Sequence, residues 1–350
     1  MNAQPPGRLA HGGDVAAAAR RHGRPAGDWV DLSTGVNPWP YPLPDLAADA
    51  WTRLPQHDAA ERLIAAARAA YGAGPEAGIV AAPGTQAILQ WLPRLIGADA
   101  AGVITPTYGE HARLWQASVP LSALADLAAA DAFAGGPGRR VVALGQPNNP
   151  DGRHWPPERL TGLAGTLAAG GGWLVVDEAF ADVLPEASVA PAGGAEGLIV
   201  LRSFGKIFGL AGLRLGFALT TPAFAERLAD ALGPWAVAGP ALQIGAAALA
   251  DAAWLSAARR RLAAAAERLD HLLAEHRCRP LGGTALFRLA ETPGAAAALA
   301  DGLARHGILV RQFATAPRHL RFGLPGPEAH WRRLDGALGD AIRRLGQAGD

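Results

Sequence analysis

Lysine is almost absent from this chain. Among its 32 Lys plus Arg residues, Lys206 is the only lysine, and every other strongly basic position is an arginine. A guanidinium stays protonated and does not condense with an aldehyde, whereas a primary amine does, so an isolated lysine marks amine chemistry. Cysteine is equally scarce. The lone Cys278 excludes an intramolecular disulfide and has no Cys or His at metal-site spacing, so no metal is expected and a reducing compartment fits. Net charge is also lacking, at +1, which excludes the basic field needed to hold nucleic acid or an acidic membrane surface. Arg259-Arg260-Arg261 and Arg332-Arg333 lie in Ala- and Leu-rich helical stretches and read as solvated faces. Met1 to Gly13 has no apolar h-region, and no stretch runs without Gly, Pro or charge for long enough to span a bilayer. A cytoplasmic protein is the expectation.

What is present is a globular composition, half of it apolar, with short β-rich runs alternating with helical ones. Ile79-Ala81, Gly102-Thr105, Val141-Leu144, Trp173-Asp177, Leu198-Leu201 and Leu213-Leu219 read as strands, with helices such as Gln86-Leu95, Pro157-Ala168 and Pro222-Ala231 between several of them. That alternation predicts an α/β domain with a mostly parallel sheet. A long helix over Ala253-His276 follows. Strand-like Ala285-Leu289, Ile308-Arg311 and His319-Phe322, interleaved with helices at Gly294-His306 and Glu328-Leu345, then predict a smaller α+β domain.

Ligands of an open α/β sheet gather beyond the carboxyl ends of its strands, and the unusual residues here fall at such ends. After the Ile79 strand, Pro83-Gly84-Thr85-Gln86 opens a helix, where free amides and the dipole suit an anion; taken alone, Thr85 reads as a helix N-cap. Tyr108 follows the strand ending at Thr105, where its ring could cover a planar ligand. After Val141-Leu144, a rigid turn containing Pro147, Pro150 and Gly152 presents Asn149. Asp177 ends a strongly apolar strand, an expensive place for an acid unless it is paired. The sharpest signal is Arg202-Ser203-Phe204-Gly205-Lys206 through Arg214, a hydroxyl three residues before the sole lysine and an arginine eight after it. Ser203 and Arg214 suit a phosphate, and Lys206 an aldehyde.

In these motifs the chain resembles the fold-type-I pyridoxal-5'-phosphate (PLP) enzymes of the class I/II aminotransferase superfamily, over essentially its whole length. The resemblance implies PLP as cofactor, bound to Lys206, with Asp177 at the pyridinium nitrogen, Asn149 at the phenolic oxygen and Tyr108 on the ring face. It implies that Gly84, Thr85, Gln86, Ser203 and Arg214 hold the cofactor phosphate, and that Arg321, in His319-Leu320-Arg321-Phe322-Gly323, clamps a substrate carboxylate. It also implies an N-terminal arm over residues 1–40, a large cofactor domain over 41–235, a small domain over 236–350, and a homodimer. Two positions depart from the pattern: Phe180 stands where relatives often carry a tyrosine, and Leu54-Pro55-Gln56 where many carry Tyr-Pro-Asp.

Within the superfamily, His11-Gly12-Gly13-Asp14 and Trp29-Val30-Asp31-Leu32-Ser33-Thr34-Gly35-Val36-Asn37-Pro38 resemble the threonine-phosphate decarboxylases. The sister histidinol-phosphate aminotransferases usually have Asn-Glu-Asn-Pro at the latter motif's end, and an aminotransferase of that kind is the alternative. The resemblance implies a phosphorylated amino acid as substrate, with Asn37 assisting Arg321 at its carboxylate and Arg311 with His11 at its phosphate. Taken outside the motif, His11 reads as a terminal histidine and Asn37 as a turn residue before Pro38.

Overall fold

The structure, a computed structural model, describes residues 11–347. The chain divides into two compact units, one formed by the segment up to Trp39 with the chain from Arg260 onward, the other by Pro40–Arg259. The described strands are β1 (Val30–Leu32), β2 (Gly78–Ala82), β3 (Ala100–Ile104), β4 (Leu121–Leu124), β5 (Arg140–Gly145), β6 (Trp173–Asp177), β7 (Leu198–Ser203), β8 (Gly216–Thr220), β9 (Arg279–Thr284), β10 (Phe287–Glu291), β11 (Ile308–Gln312) and β12 (His319–Gly323).

In the larger unit seven strands form one sheet in the order β2-β8-β7-β6-β5-β3-β4. Strand β8 runs antiparallel to β2 and β7, and the other neighbours pair in parallel. Val141–Leu144, Leu174–Val176 and Leu198–Leu201 are wholly inaccessible. Such unbroken apolar runs, without alternation, are what parallel strands covered on both faces require. The covering helices bury apolar stripes: Ile88, Leu89, Leu92 and Ile96 on Thr85–Ile96, Leu160, Leu163 and Leu167 on Pro157–Ala169, Phe224 and Leu228 on Pro222–Leu232. Each large side chain removed from water this way contributes roughly 1.5–3 kcal/mol relative to exposure. Because β2, β3, β5, β6 and β7 share one direction, the loops after them converge at one sheet edge.

The smaller unit holds a five-stranded sheet in the order β1-β11-β12-β10-β9. Strand β1 pairs in parallel with β11, and the remaining pairs are antiparallel. The N-terminal segment thus supplies an edge strand, which groups it with the C-terminal chain.

The division of the chain falls between Arg259 and Arg260, whereas the resemblance places it after residue 235. The helix Gly239–Ala250 buries Leu242, Ile244 and Leu249 and packs on the helix His57–Tyr71, so it belongs to the larger unit. One strand expected at Ala285-Leu289 is instead the turn and second arm of the β9/β10 hairpin. The run expected from Leu213 begins as a strand only at Gly216, because Ala211–Leu213 form a single 3-10 turn and Arg214 adopts a left-handed conformation. No single described helix is long and apolar enough to cross a membrane.

Candidate active site

Four features meet along the strand ends of the larger unit. The first is an anion cradle. Gly84 is the N-cap of the helix Thr85–Ile96, has φ 83°, and offers no side-chain cap, so the Thr85 and Gln86 amides find no partner within the helix, whereas the Ala87 amide donates to the Gly84 carbonyl at 3.1 Å. This rules out Thr85 as the N-cap. A Cβ on Gly84 would lie 2.6 Å from Nη2 of Arg214, and a Cβ on Gly216 would lie 2.6 Å from the Thr85 nitrogen. Both glycines are therefore needed for backbone and guanidinium to close on this helix end. Ser203 pairs with Gly216 across β7 and β8, which brings its residue to the same place. A helix N-terminus, an exposed guanidinium and a hydroxyl make a phosphate-type site.

The second feature is the amine. Lys206 lies in the turn after β7, half-buried, with Nζ 5.5 Å from the centre of the Phe180 ring. That position carries an aromatic face and no hydroxyl.

The third is a paired acid. Asp177 at the end of β6 is 8% exposed, and its Oδ2 lies 3.0 Å from Nε2 of the fully buried His111. Its Oδ1 accepts from the Ala179 amide at 3.1 Å. The partner that an acid at this place requires is thus a histidine. The sequence pattern does not single out His111; its only signal is a place three residues after Tyr108, on a helix face shared with buried Leu114 and Trp115.

The fourth is an oriented aromatic ring. Tyr108 begins the helix Gly109–Gln116 and meets the His111 ring edge-on at 5.9 Å. Its hydroxyl donates to Oε1 of Gln86 at 3.1 Å, while Nε2 of Gln86 donates to Oε2 of Glu110 at 2.9 Å, and Arg113 Nε donates to that same carboxylate oxygen at 2.9 Å. The Gln86 side chain is therefore engaged with Tyr108 and Glu110, leaving its backbone amide as the group able to face an anion. Burial, with help from Glu110 and Asp177, pushes the Tyr108 phenol up to about 12, so it stays protonated at neutral pH. Asn149 occupies the turn after β5, and the start of that turn is tied to β6 by the Gln146 amide donating to the Asp177 carbonyl at 2.9 Å.

An amine, a buried acid, a planar ring and an anion cradle along one edge of the sheet fit a phosphorylated aldehyde that carries a basic ring nitrogen.

The smaller unit holds a second group of polar residues. Arg321 on β12 is 6% exposed, donates from Nη2 to the Ser33 carbonyl at 2.8 Å, and lies 4.8 Å from the Phe287 ring centre. Arg311 stands directly opposite it on β11. Like charges in direct register repel, and burial together with Arg311 lowers the Arg321 guanidinium to about 10, with Asp31 opposing. Arg321 remains cationic at neutral pH, and an anion beside it would offset the repulsion from Arg311. Asn37 is buried, and its Oδ1 accepts from the Trp39 amide at 2.9 Å in the turn expected before Pro38, so any donation to a ligand would come from its amide nitrogen. His11 is exposed at the first described position.

The sequence profile of aminotransferase class I and II matches residues 43–334. The chain belongs to the class I and II aminotransferase family. Within the curated members of that family, the threonine-phosphate decarboxylase of Pseudomonas aeruginosa is 46% identical over 330 residues, covering 94% of this chain and 97% of that protein. The threonine-phosphate decarboxylase of a Sinorhizobium species is 43% identical over 335 residues, with coverage of 94% and 97%. Among solved structures, the histidinol-phosphate aminotransferase from Sinorhizobium meliloti in complex with pyridoxal-5'-phosphate superposes with a TM-score of 0.82 at 25% identity, covering 96% of each chain. Two departures from the aminotransferase pattern are visible in the structure: the buried Phe180 ring beside Lys206, and the exposed side chain of Leu54.

Proposed function

We propose that this chain is a PLP-dependent decarboxylase that converts L-threonine O-3-phosphate to (R)-1-amino-2-propanol O-2-phosphate in cobalamin biosynthesis, working as a cytoplasmic homodimer. The observation that carries the reading is the near-full-length likeness to two threonine-phosphate decarboxylases. The paired Arg311 and Arg321 add support, since a substrate with both a carboxylate and a phosphate answers two neighbouring guanidiniums. Exposed Leu43, Trp51, Leu54 and Trp235 are apolar side chains that a second copy would cover.

The cofactor, when bound, supplies a conjugated ring that takes up the electron pair left by a broken bond at Cα. Lys206 Nζ would hold its aldehyde, and the same amine would be the group that delivers a proton to Cα. Asp177, held by His111, would keep a proton on the ring nitrogen. Asn149 would donate to the phenolic oxygen without the help of a tyrosine, since residue 180 is Phe. Tyr108 would cover the ring face, and Gly84, Thr85, the Gln86 amide, Ser203 and Arg214 would hold the cofactor phosphate. Arg321, with Asn37, would orient the substrate carboxylate, and that orientation would select loss of the carboxylate over loss of the Cα proton. Arg311 with His11 would take the substrate phosphate.

The test is incubation of the PLP-loaded protein with L-threonine O-3-phosphate carrying ¹³C in its carboxyl group. Labelled carbon dioxide and a phosphorylated amine, formed without any oxo acid, support the decarboxylase. Turnover that requires 2-oxoglutarate and yields glutamate supports a histidinol-phosphate-type aminotransferase instead.

A further inference from the structure

The N-terminal segment and Arg321 meet at one residue, Ser33. Its hydroxyl donates to Oδ1 of Asp31 at 2.5 Å and accepts from the Gly13 amide at 2.7 Å, while its carbonyl accepts from Arg321 Nη2 at 2.8 Å. Asp31 Oδ1 also takes the Ser33 amide at 2.8 Å. Because a carboxylate oxygen only accepts, the Ser33 hydroxyl proton is committed to Asp31, and a lone pair is left facing Gly13. Ser33 is 1% exposed, so these partners are not exchanged freely for water. Gly12 lies so close that a Cβ there would sit 2.4 Å from the Ser33 carbonyl oxygen, and Gly13 has φ +90°. Asp14 then caps the helix Val15–His22 by accepting from the Ala17 amide at 2.8 Å. The His11-Gly12-Gly13-Asp14 and Asp31-Leu32-Ser33 stretches, distant in sequence, thus form one joint.

We propose that Ser33 is a positioning residue that docks the His11–Asp14 arm onto the residue gripped by Arg321, so that the arm contributes to binding of the anionic substrate and not to the chemical step. The inference rests on the reading of Arg321 as a carboxylate site. Its physical content is that arm and guanidinium are both referenced to Ser33: the arm through the side chain, Arg321 through the backbone. Removing the hydroxyl breaks the Gly13 bond of the arm and leaves the Arg321 bond in place.

Two holoenzyme variants test it. Ser33→Ala removes the acceptor for Gly13, and Gly12→Ala forces the arm away while leaving Ser33 intact, so the second remains informative if the first folds poorly. Hydrogen exchange at the Gly13 amide and steady-state kinetics with L-threonine O-3-phosphate are the readouts. Both variants are expected to speed Gly13 exchange at least tenfold and raise KM at least fivefold, with kcat within twofold of the unmodified enzyme. Unchanged exchange overturns the docking role, and faster exchange with unchanged KM, or with a fall confined to kcat, overturns the binding role. Absence of any turnover by the unmodified enzyme is a failure of the decarboxylase reading, and the exchange result still decides whether Ser33 docks the arm.

Discussion

His111 Nε2 lies 3.0 Å from Asp177 Oδ2, and both side chains are buried. An acid at the end of an apolar strand is tolerated there because a histidine on the neighbouring helix Gly109–Gln116 and the Ala179 amide share its oxygens. A hydrogen bond to a charged group contributes about 1.5–3 kcal/mol. Replacing His111 by Phe, which fills the space without a donor, is expected to weaken PLP binding about tenfold or more. Fluorescence titration of cofactor-free protein with PLP measures this, and an unchanged Kd would show that His111 does not support Asp177.

Arg321 is expected to tolerate lysine poorly. The guanidinium spans the Ser33 carbonyl and, in the proposed reaction, a carboxylate, a geometry that a single ammonium does not reproduce. Losing one charge-assisted bond of about 1.5–3 kcal/mol corresponds to a fall in kcat/KM of roughly ten- to a hundredfold in Arg321→Lys. Steady-state assay with L-threonine O-3-phosphate checks it. Equal kcat/KM in the variant would remove Arg321 from the binding site.

A buried ion cluster sits behind the site. Arg202 on β7 reaches Glu178 at 2.6 Å and also Asp182, with its guanidinium 4.3 Å from the Tyr71 ring centre. Ser188 and the Val189 amide donate to Glu178 at 2.6 Å each. Burial pushes Glu178 upward even so, with Arg202 the main opposing influence. Arg202→Met strands two buried acids and is expected to cost about 3–5 kcal/mol of stability, measured by urea denaturation. A loss below about 1 kcal/mol would mean that the acids are satisfied without Arg202.

Tyr108 sets a pH dependence. Its folded value of about 12 lies above the ordinary phenol value of 10.0, so the contribution of the protonated phenol is fully present below pH 10 and is lost as pH rises toward 12. That difference corresponds to about 3 kcal/mol at most, less for the part of the ring still reached by water. Cofactor-free protein should therefore lose more stability between about pH 9 and 11.5 than its Tyr108→Phe variant does. Identical losses would mean that the phenol ionises as it does in the unfolded chain.

The parallel sheet is legible in the sequence because it depends on local pattern, and so is the placement of Gly84, Tyr108, Asp177 and Lys206 at or just beyond its strand ends. Trp173–Asp177 has the same bounds in sequence and structure, since an unbroken apolar run this short, closed by an acid, suits a buried strand and not a helix. Strands β4 and β9 leave no such trace: β4 is a partly exposed edge strand with Ser122 in it, and β9 contains Pro280, Gly282 and Gly283, which argue against a strand locally. The helix Gly239–Ala250 leaves no clear trace, because it is Ala-rich and its burial is decided by a distant helix, not by its own periodicity. His111 is hidden for a similar reason. Flanked by Glu110, Ala112 and Arg113, it looks like a solvated histidine, and only tertiary packing puts it against Asp177. The joint at Ser33 likewise unites segments whose motifs are visible in the sequence but whose contact is not.

In the proposed function one amine holds the cofactor, and because Lys206 is the only lysine its attachment is directly measurable. Borohydride reduction of the PLP-loaded protein, followed by proteolysis and mass spectrometry, should find a stable pyridoxyl adduct on the peptide containing Lys206. Recovery of that peptide unmodified, from protein that retains bound PLP, would show that Lys206 does not hold the cofactor.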